Sequence, residues 1–461
     1  MYETLLVLND FGDELEFERA LKELIDWGLL LFNKDTKHFD LHPIVRRYAY
    51  DRLIDKKGIH IQLRDRFVSN LPSLEKVQSL DDIAPMIELY YHTAKAGQYE
   101  EAIKLYEDYL DELLFFHFGA YQMIIELLNL LFPKGEGGIP YLKLEKDQAV
   151  VLNILGRAYS RLGQTYRAVR AHKKAVQLSE MRSDKANLIM YKCDLSNLLI
   201  DVGELEQAGK ILQHRIRGPP HNVVQFDIMR FQSRLWMYEG SYTKSGFQIS
   251  EIIKNLNKLN ADQALSVTYL DKSVLYLLSG RPSDAYKAAC QSLNFWEKNF
   301  AKNKFYESDR IAAELMIGSA LIYISINKID EKNRLLFEAE KHLKEAIIGC
   351  HNINYVGIEP DILLSMALWH YTKGDIKAAE NYAEEALYIA NRIEHRLNQA
   401  EIHNFLARVN LDQDKTKAIQ HAQHAFERAW CDGPSHCYKN ALDTARELLE
   451  KLGITEPDIP L

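Results

Sequence analysis

The segment LGRAYSRLGQTYRAVRAHKKA, from Leu155 to Ala175, decides the fold of this chain. It contains a large residue, then two small ones, then a glycine, then two further small residues: Leu155, Gly156, Ala158, Gly163, Ala168 and Ala175. Small residues at these offsets allow two antiparallel helices to pack closely, while the large ones fill the gap to the next pair. The segment therefore predicts a helix–turn–helix unit that must stack on further copies of itself.

Copies of this tetratricopeptide pattern follow one another towards the C-terminus. Their predicted turn glycines are Gly97, Gly163, Gly203, Gly240, Gly280 and Gly374. A last copy has Asp414 near the glycine position, and a divergent copy around Gly318 has additional residues between Lys328 and Leu336. The glycines lie further apart than the roughly 34 residues of the standard unit. We therefore expect an all-α fold, a tetratricopeptide-repeat superhelix (α-solenoid) of long units over residues 55–430, with a C-terminal capping helix and tail over residues 431–461.

Bulk composition excludes several classes of protein. The 461 residues have a formal net charge of −8, whereas general nucleic-acid binding requires a basic surface. No apolar run approaches the length of a membrane span, and the acidic start lacks the basic region of a signal peptide. The five scattered cysteines, an odd number, favour reduced thiols. We expect a cytoplasmic protein with no membrane contact.

Residues 1–54 do not follow the repeat. An apolar stripe at Leu21 predicts a helix that ends at Gly28. Two short apolar stretches on either side of a polar turn predict a β-hairpin between Leu29 and Leu41. Pro43 then favours the first turn of a second helix. Helix, hairpin and helix in this order predict a partial winged-helix segment at the N-terminus.

Two motifs carry a resemblance to a known family. LHPIVRRYA, from Leu41 to Ala49, is followed by long repeat units, and the closing segment ERAWCDGPSHCYKNALDTARELLEKLG spans Glu427 to Gly453. Together they resemble the C-terminal half of bacterial STAND-class NTPases of the NB-ARC type. The resemblance implies that the repeats sense a ligand, and that His42 corresponds to the switch histidine that contacts the β-phosphate of ADP. The sequence contains no G-x-x-x-x-G-K-[ST] motif, so a nucleotide-binding domain is expected upstream in a larger protein; the other possibility is a stand-alone relic.

The repeat register predicts a polar groove on the first helices of the early units. The expected groove residues are Asn153, Arg157, Arg161, Asn197, Arg230 and Arg234. Converging amide and guanidinium donors suit an anionic group of a partner, although the arginines could equally be paired with neighbouring acids. Later units have apolar residues at equivalent positions: Leu270, Val274, Leu277, Leu315, Ile322, Leu364 and Leu368. This part of the groove would suit a helix or an extended peptide, or be filled by the superhelix itself.

Metal and catalytic motifs are weak or missing in the sequence. The residues His421, His424, Cys431, His436 and Cys437 lie close together, but their spacing fits no structural zinc motif. We expect the two cysteines to pack the capping helix, with no metal and no cofactor bound. Nucleophile-elbow, zinc-protease and phosphate-loop motifs are missing, so we expect no enzyme activity.

Two functions follow from these patterns. The first is a non-catalytic scaffold that binds a protein or peptide, as the ligand-sensing repeat domain of a STAND-type signalling NTPase. The alternative is a ligand-sensing transcription regulator whose winged helix contacts DNA, with Arg46, Arg47 and Arg52 giving local basic character. Half a winged helix lacks a complete recognition unit, and the acidic net charge also favours the first function.

Overall fold

The computed structural model describes residues 14–33, 38–41, 43–69, 77–135, 138–180, 185–213, 223–301 and 306–454. Within these ranges the chain is helical apart from one two-stranded antiparallel hairpin, as predicted. It forms two compact units, one of residues 1–110 with 129–136, the other of residues 111–128 with 137–461. No unit boundary falls at residue 54 or 430, and the domain limits drawn from the sequence stay predictions.

The first unit begins with the predicted order of helix, hairpin and helix. Its elements are α1 (Glu14–Asp26), β1 (Leu30–Asn33), β2 (His38–Leu41) and α2 (Pro43–Arg52). Phe17 and Leu21 of α1 are buried against Leu30 of the hairpin, in which Leu30 is paired with Leu41. Gly28 has a left-handed φ of +67° and follows the end of α1. The assignment of this segment to a winged helix stays a prediction, and His42 lies outside the described residues.

The remainder of the first unit is helical and has a buried histidine pair at its centre. The elements are α3 (Lys56–Val68), a 3₁₀ turn (Leu80–Ile83), α4 (Ala84–Lys95), α5 (Tyr99–Leu105) and a π-helical turn (Tyr106–Leu110). The Nδ1 atoms of His60 and His92 lie 2.8 Å apart, and Tyr50 Oη lies 3.0 Å from His60 Nε2. Burial lowers the pKa of His92 to about 4, so the pair is neutral near pH 7 and joins α2, α3 and α4 through hydrogen bonds.

The second unit is a stack of helix pairs. Its elements are a π-helical turn (Leu113–His117), α6 (Tyr121–Asn129), α7 (Glu145–Arg161), α8 (Thr165–Glu180), α9 (Lys185–Asp201), α10 (Leu205–Leu212), α11 (Val223–Tyr238), α12 (Tyr242–Leu259), α13 (Asp262–Leu278), α14 (Pro282–Phe300), α15 (Glu307–Asn327), a 3₁₀ turn (Ile329–Glu331), α16 (Lys332–Asn352), α17 (Glu359–Lys373), α18 (Ile376–Arg392), α19 (Arg396–Asn410), α20 (Lys415–Trp430) and α21 (Lys439–Lys451). None of the helices in the described part of the chain combines the length and apolar composition needed to cross a membrane.

The turns within the pairs lie where the sequence predicts them, with one exception. All six predicted turn glycines have left-handed φ values, between +68° and +89°, which glycine adopts without steric cost. Asp414 caps the N-terminus of α20 by accepting hydrogen bonds from the backbone N–H groups of Thr416 and Lys417. The divergent copy differs from expectation, because Gly318 lies inside α15, where its missing side chain makes room for Leu343 of α16. The turn of that pair is at Lys328–Glu331, midway between Gly280 and Gly374.

Small residues sit where the helices of a pair cross. Ala158 of α7 and Ala168 and Ala175 of α8 are 0% exposed. A Cβ at Gly156 would lie 2.7 Å from the imidazole of His172, so this glycine lets the ring approach the backbone of α7. Close packing at these points leaves no space for larger side chains.

Two of the residues expected in the apolar groove belong instead to the core. Leu315 and Ile322 are buried in a cluster that α15 forms with α16 and α17. Leu364 and Leu368 are half-buried and pack on the neighbouring clusters. The register of the sequence pattern placed Leu315 and Ile322 on the inner face, whereas in α15 they face its partner helix.

Packing at the helix crossings is directly testable. We expect Ala168→Leu or Ala379→Leu to lower the free energy of unfolding by roughly 1–3 kcal/mol, because three additional carbons must enter a fully packed contact. Glu385→Leu, on the exposed face of the same helix as Ala379, is the matched control and should change stability little. Equal thermal unfolding midpoints for the three variants would contradict the repeat register.

Candidate functional site

The first helix of each pair in the second unit points charged side chains towards a common inner surface. The charges interact across several pairs: Asp361 of α17 is influenced by Asp201 of α9 and Arg234 of α11. Likewise Asp309 of α15 is influenced by Arg161 of α7. We call this set the inner charged network; its members are Arg157, Arg161, Asp194, Asp201, Asp227, Arg230, Arg234, Asp271, Asp309, Asp361 and Glu401.

Arg230 connects α11 to α13. Its Nη1 donates to Asp271 Oδ2 at 3.0 Å, and its Nε lies 3.4 Å from Asp227 Oδ1. The side chains of Arg230 and Asp271 are 15% and 10% exposed, so their charges are largely removed from water. Burial opposes the charge of Arg230, but Asp271 and Asp227 outweigh it and raise its pKa. An arginine held between two carboxylates keeps a fixed orientation.

Arg234 connects α11 to α9 in the same manner. Its Nη1 donates to Asn197 Oδ1 at 2.6 Å, and its Nη2 lies 3.6 Å from Asp201 Oδ1. The side chains of Arg234 and Asp201 retain exposures of 27% and 20%. This pair therefore lies on the inner surface, where a solute could reach it, and is not sealed between helices.

Arg157 and Arg161 of α7 lie against aromatic rings. The guanidinium carbon of Arg157 is 4.0 Å from the ring centroid of Phe115, and that of Arg161 is 4.1 Å from the ring centroid of Tyr355. Guanidinium groups stacked in this way gain cation–π stabilisation. Arg161 thereby joins the first pair of this unit to the segment before α17.

Asn153 differs from the expectation that it lines the groove. It is 1% exposed, its Nδ2 donates to Asp194 Oδ2 at 3.0 Å, and its Oδ1 lies 2.9 Å from His172 Nδ1. Burial lowers the pKa of His172 to about 4, so the ring is neutral and donates to the amide oxygen. These two bonds hold Asn153 inside the helix pair, away from the inner surface.

Five of the six predicted groove residues are thus brought to one surface, but their arginines are not free donors. Asp271 accepts from Arg230, the amide oxygen of Asn197 accepts from Arg234, and aromatic rings cover Arg157 and Arg161. Acids beside these arginines were not predicted, although the positions of several of them repeat. Asp194 and Asp271 stand equally far before the turn glycines Gly203 and Gly280, and Asp227 and Asp361 equally far before Gly240 and Gly374.

Among the described residues, four acids of the network have no cation within ion-pair distance: Asp194, Asp309, Asp361 and Glu401. Asn153 donates to Asp194 and Tyr438 donates to Glu401. Burial raises the pKa of Asp309 to about 6, although Arg161 and a hydrogen bond from Gln263 lower it. Burial also raises the pKa of Asp361 to about 6, and Asp201 raises it further. Carboxylates outnumber guanidiniums in the network, so the inner surface has an excess of negative charge at neutral pH.

The histidines and cysteines near the C-terminus are divided among separate contacts. His421 Nδ1 lies 2.9 Å from His403 Nδ1, whereas His436 Nδ1 lies 2.7 Å from Glu239 Oε1. The buried thiols of Cys431 and Cys437 donate to backbone carbonyls. In the part of the chain that the structure describes, no three His, Cys, Asp or Glu side chains are arranged to hold a metal ion.

Comparisons with known proteins find similarity in structure. No protein-family model and no curated protein matches the sequence significantly. A Signal Transduction ATPase with Numerous Domains (STAND) protein with a tetratricopeptide repeat sensor, from Pyrococcus horikoshii, is similar with a TM-score of 0.42 and 14% identity, over 88% of this chain. This chain spans 58% of the length of that protein.

Two further solved structures have a similar helical-repeat architecture. Human IFIT1, solved as a dimer with m7Gppp-AAAA, has a TM-score of 0.44 and 14% identity, over 88% of each chain. A Rap protein complexed with competence and sporulation factor has a TM-score of 0.38 and 11% identity, over 88% of this chain and 97% of its own. At these values the likeness is one of chain architecture alone.

The unpaired acids predict a dependence of stability on pH. A carboxyl whose pKa is raised from 3.8 to about 6 on folding stabilises the fold fully below pH 3.8, and this contribution is lost as pH rises through 6. We therefore expect Asp309→Asn/Asp361→Asn to be more stable than the native chain at pH 8 by about 1–2 kcal/mol per site, with the difference shrinking towards pH 4. Thermal unfolding midpoints at pH 8 and pH 5 measure this. A pH-independent difference would contradict it.

Proposed function

We propose that this chain is a non-catalytic repeat scaffold that binds a peptide on the inner surface of its second unit, as the ligand-sensing part of a STAND-type signalling NTPase. The inner charged network is the observation that carries this proposal. Its ion pairs hold charges of both signs in fixed positions on successive helix pairs. Fixed, partly desolvated charges discriminate between ligands more sharply than mobile surface charges do.

Part of the network is accessible to a ligand. Arg234 and Asp201 keep about a quarter and a fifth of their side-chain surface exposed. Tyr323 of α15 is 42% exposed, and it lies near enough to Glu401 for that acid to help raise its pKa, together with burial. Its hydroxyl group is a further hydrogen-bonding partner for an extended chain with charged side groups.

The sign of the charge favours a peptide over a nucleic acid. Because carboxylates exceed guanidiniums on the inner surface, a polyphosphate backbone would be repelled, and the net charge of −8 adds to this repulsion. A peptide with at least one basic side chain would meet the unpaired Asp309 or Asp361. The arginines alone predict an anionic group on the ligand. Such a group would have to compete with the acids that already pair with Arg230 and Arg234.

The signalling assignment is supported by the sequence motifs. The LHPIVRRYA segment and the long units resemble the C-terminal half of STAND-class proteins, and the helix–hairpin–helix order before the repeats agrees with that arrangement. All five cysteines are free thiols, which supports a cytoplasmic location. The nucleotide-binding domain would be supplied by another part of a longer protein.

A peptide library tests the binding proposal. Fluorescein-labelled octapeptides of randomised sequence are screened by anisotropy against the native chain, and the best binders are titrated against Asp309→Asn/Asp361→Asn. Loss of the two unpaired charges should weaken binding of basic peptides at least tenfold, since each charge contact is partly desolvated.

Glu384→Gln/Glu385→Gln is the matched control for this screen, because it removes two carboxylates from an exposed helix face. Binding to this variant should equal binding to the native chain. If the inner-surface variant binds every selected peptide with native affinity, or if no peptide binds, the proposed site is wrong.

The absence of catalysis is a separate prediction. The chain has no phosphate-loop motif, so we expect it neither to hydrolyse ATP nor to bind ADP with micromolar affinity. Titration calorimetry with ADP and a phosphate-release assay with ATP measure the two activities. Heat of binding at micromolar ADP would assign a nucleotide site to this chain.

A further inference from the structure

Four glycines on early turns of the second unit lie directly against residues near its C-terminal end. An added Cβ would lie 2.4 Å from Ile353 at Gly119, 2.4 Å from Ile393 at Gly163, 2.8 Å from Arg396 at Gly203 and 2.8 Å from Lys439 at Gly240. At Gly119 and Gly163 the nearest atoms belong to the branched side chains of Ile353 and Ile393, so glycine is required there for the close approach. At Gly203 and Gly240 the nearest atoms are methylene groups of Arg396 and Lys439, which must shift to admit a side chain. The superhelix therefore closes on itself, with early turns seated on late ones.

Turn glycines elsewhere in the second unit show that this contact is separate from the repeat pattern. Gly280 and Gly374 also have left-handed φ values, +71° and +89°, but an added Cβ would meet no atom within 4 Å at either. The left-handed turn alone therefore explains glycine at 280 and 374. At 163 the close approach of another turn is a second reason for glycine, and at 203 and 240 another turn lies near enough that its side chains must shift to admit a larger residue.

Polar contacts also join the early turns to the later ones. We call the contacts that the turns at Gly119, Gly163, Gly203 and Gly240 make with the later turns the seam. His436 Nδ1 pairs with Glu239 Oε1 at 2.7 Å, and the backbone N–H of Glu206 donates to Asp432 Oδ2 at 2.8 Å. Thr165 Oγ1 donates to the carbonyl of Ile393. The seam thus combines these polar contacts with apolar and aromatic ones. Ile353 and Ile393 lie against Gly119 and Gly163, and the ring centroids of Tyr238 and Tyr438 are 5.1 Å apart.

One strained residue lies at the seam. Among the described residues, four non-glycine residues have positive φ: Asn260, Asn354, Glu394 and Cys431. The first three end helices in the same left-handed turn as the glycines do; the N–H of His395, for example, donates to the carbonyl of Ala390. Cys431 differs, with φ 50° and ψ −112°, and its Sγ lies 3.2 Å from where a Cβ at 203 would be. Strained backbone of this type persists where surrounding contacts impose it.

We propose that the seam is a gate: the early turns and the C-terminal helices separate as a unit, which exposes the inner charged network, and close again over a bound ligand. Opening breaks the contacts of the seam, whose polar groups then bond to water, and also the contacts of the inner charged network that cross it, such as that of Arg161 with Tyr355. It also allows Cys431 to leave its positive φ. The helix pairs on either side stay intact. The role of the gate in ligand entry rests on the function proposed above; the opening itself does not.

A single substitution can lock the gate. Gly203→Cys places a thiol beside the native Cys431, and the 3.2 Å from the Cβ position to Sγ is compatible with a disulfide. Hydrogen exchange read by mass spectrometry, at residues 204–208 and 431–438, then reports on the seam. We expect exchange in both segments to slow about tenfold on oxidation of the variant and to recover on reduction. Equal exchange in the two states of a disulfide-bonded variant would overturn the gate.

A matched pair of substitutions tests whether crowding at the seam opens it. Gly203→Ala and Gly280→Ala impose the same left-handed strain, but only the methyl group at 203 meets another turn. Exchange at residues 431–438 should rise about tenfold in Gly203→Ala and remain native in Gly280→Ala. Equal effects would show that the seam is a rigid part of the fold. If Gly203→Cys fails to fold, Gly240→Cys/Lys439→Cys replaces it. Its Cβ positions are 3.1 Å apart, shorter than the usual disulfide separation of about 3.5–4.5 Å, so the two turns must move apart by a few tenths of an ångström.

Ligand entry is tested with the best octapeptide from the anisotropy screen. Stopped-flow association should be at least tenfold slower for the oxidised Gly203→Cys variant than for its reduced form. Equal rates would show entry along the superhelix axis and overturn the role of the gate in binding, while leaving the proposed function intact. Failure of any peptide to bind the native chain would instead overturn the proposed function, and the exchange measurements would still decide whether the seam opens.

Discussion

Close contact between small residues at the helix crossings is the constraint on which the second unit depends. Ala158, Ala168 and Ala175 have no exposed surface. Their small side chains bring the two helices of a pair so close that each helix can pack in only one rotation about its own axis. That rotation determines which residues face the core and which face inward. The inner charged network is therefore a consequence of alanine packing on the opposite sides of the same helices.

Burying charged groups on the inner surface costs desolvation free energy, which the ion pairs only partly offset. Arg230 and Arg234 each bind an acid from a neighbouring first helix, so their guanidiniums also fix the spacing of α9, α11 and α13. Asp309 and Asp361 have no such partner, and burial raises their pKa values, because no cation offsets the desolvation of the charged form. A partly buried carboxylate without a cationic partner gains free energy when an opposite charge binds beside it.

Features that depend on neighbouring residues could be predicted from the sequence, and features that depend on distant ones could not. The glycine turns, the hairpin and the start of α2 at Pro43 follow from residues a few positions apart. Asp271 and Asp201, which pair with Arg230 and Arg234, come from adjacent repeats, and no local pattern identifies them as partners. The sequence does not distinguish Gly318, which lies inside a helix, from a glycine at a turn, because the difference depends on its packing against Leu343. The approach of residue 203 to residue 431 has no local signature at all.

The self-contact of the superhelix also constrains how the chain can change in length. An open solenoid tolerates the gain or loss of a repeat, because each unit touches its neighbours alone. Here Gly163 must meet Ile393 and Gly240 must meet Lys439, so deleting or duplicating one helix pair between them would shift every one of these partners out of register. Within this stretch the repeat number is therefore fixed by geometry, and variation in length is confined to the ends of the array and to loops outside the contact.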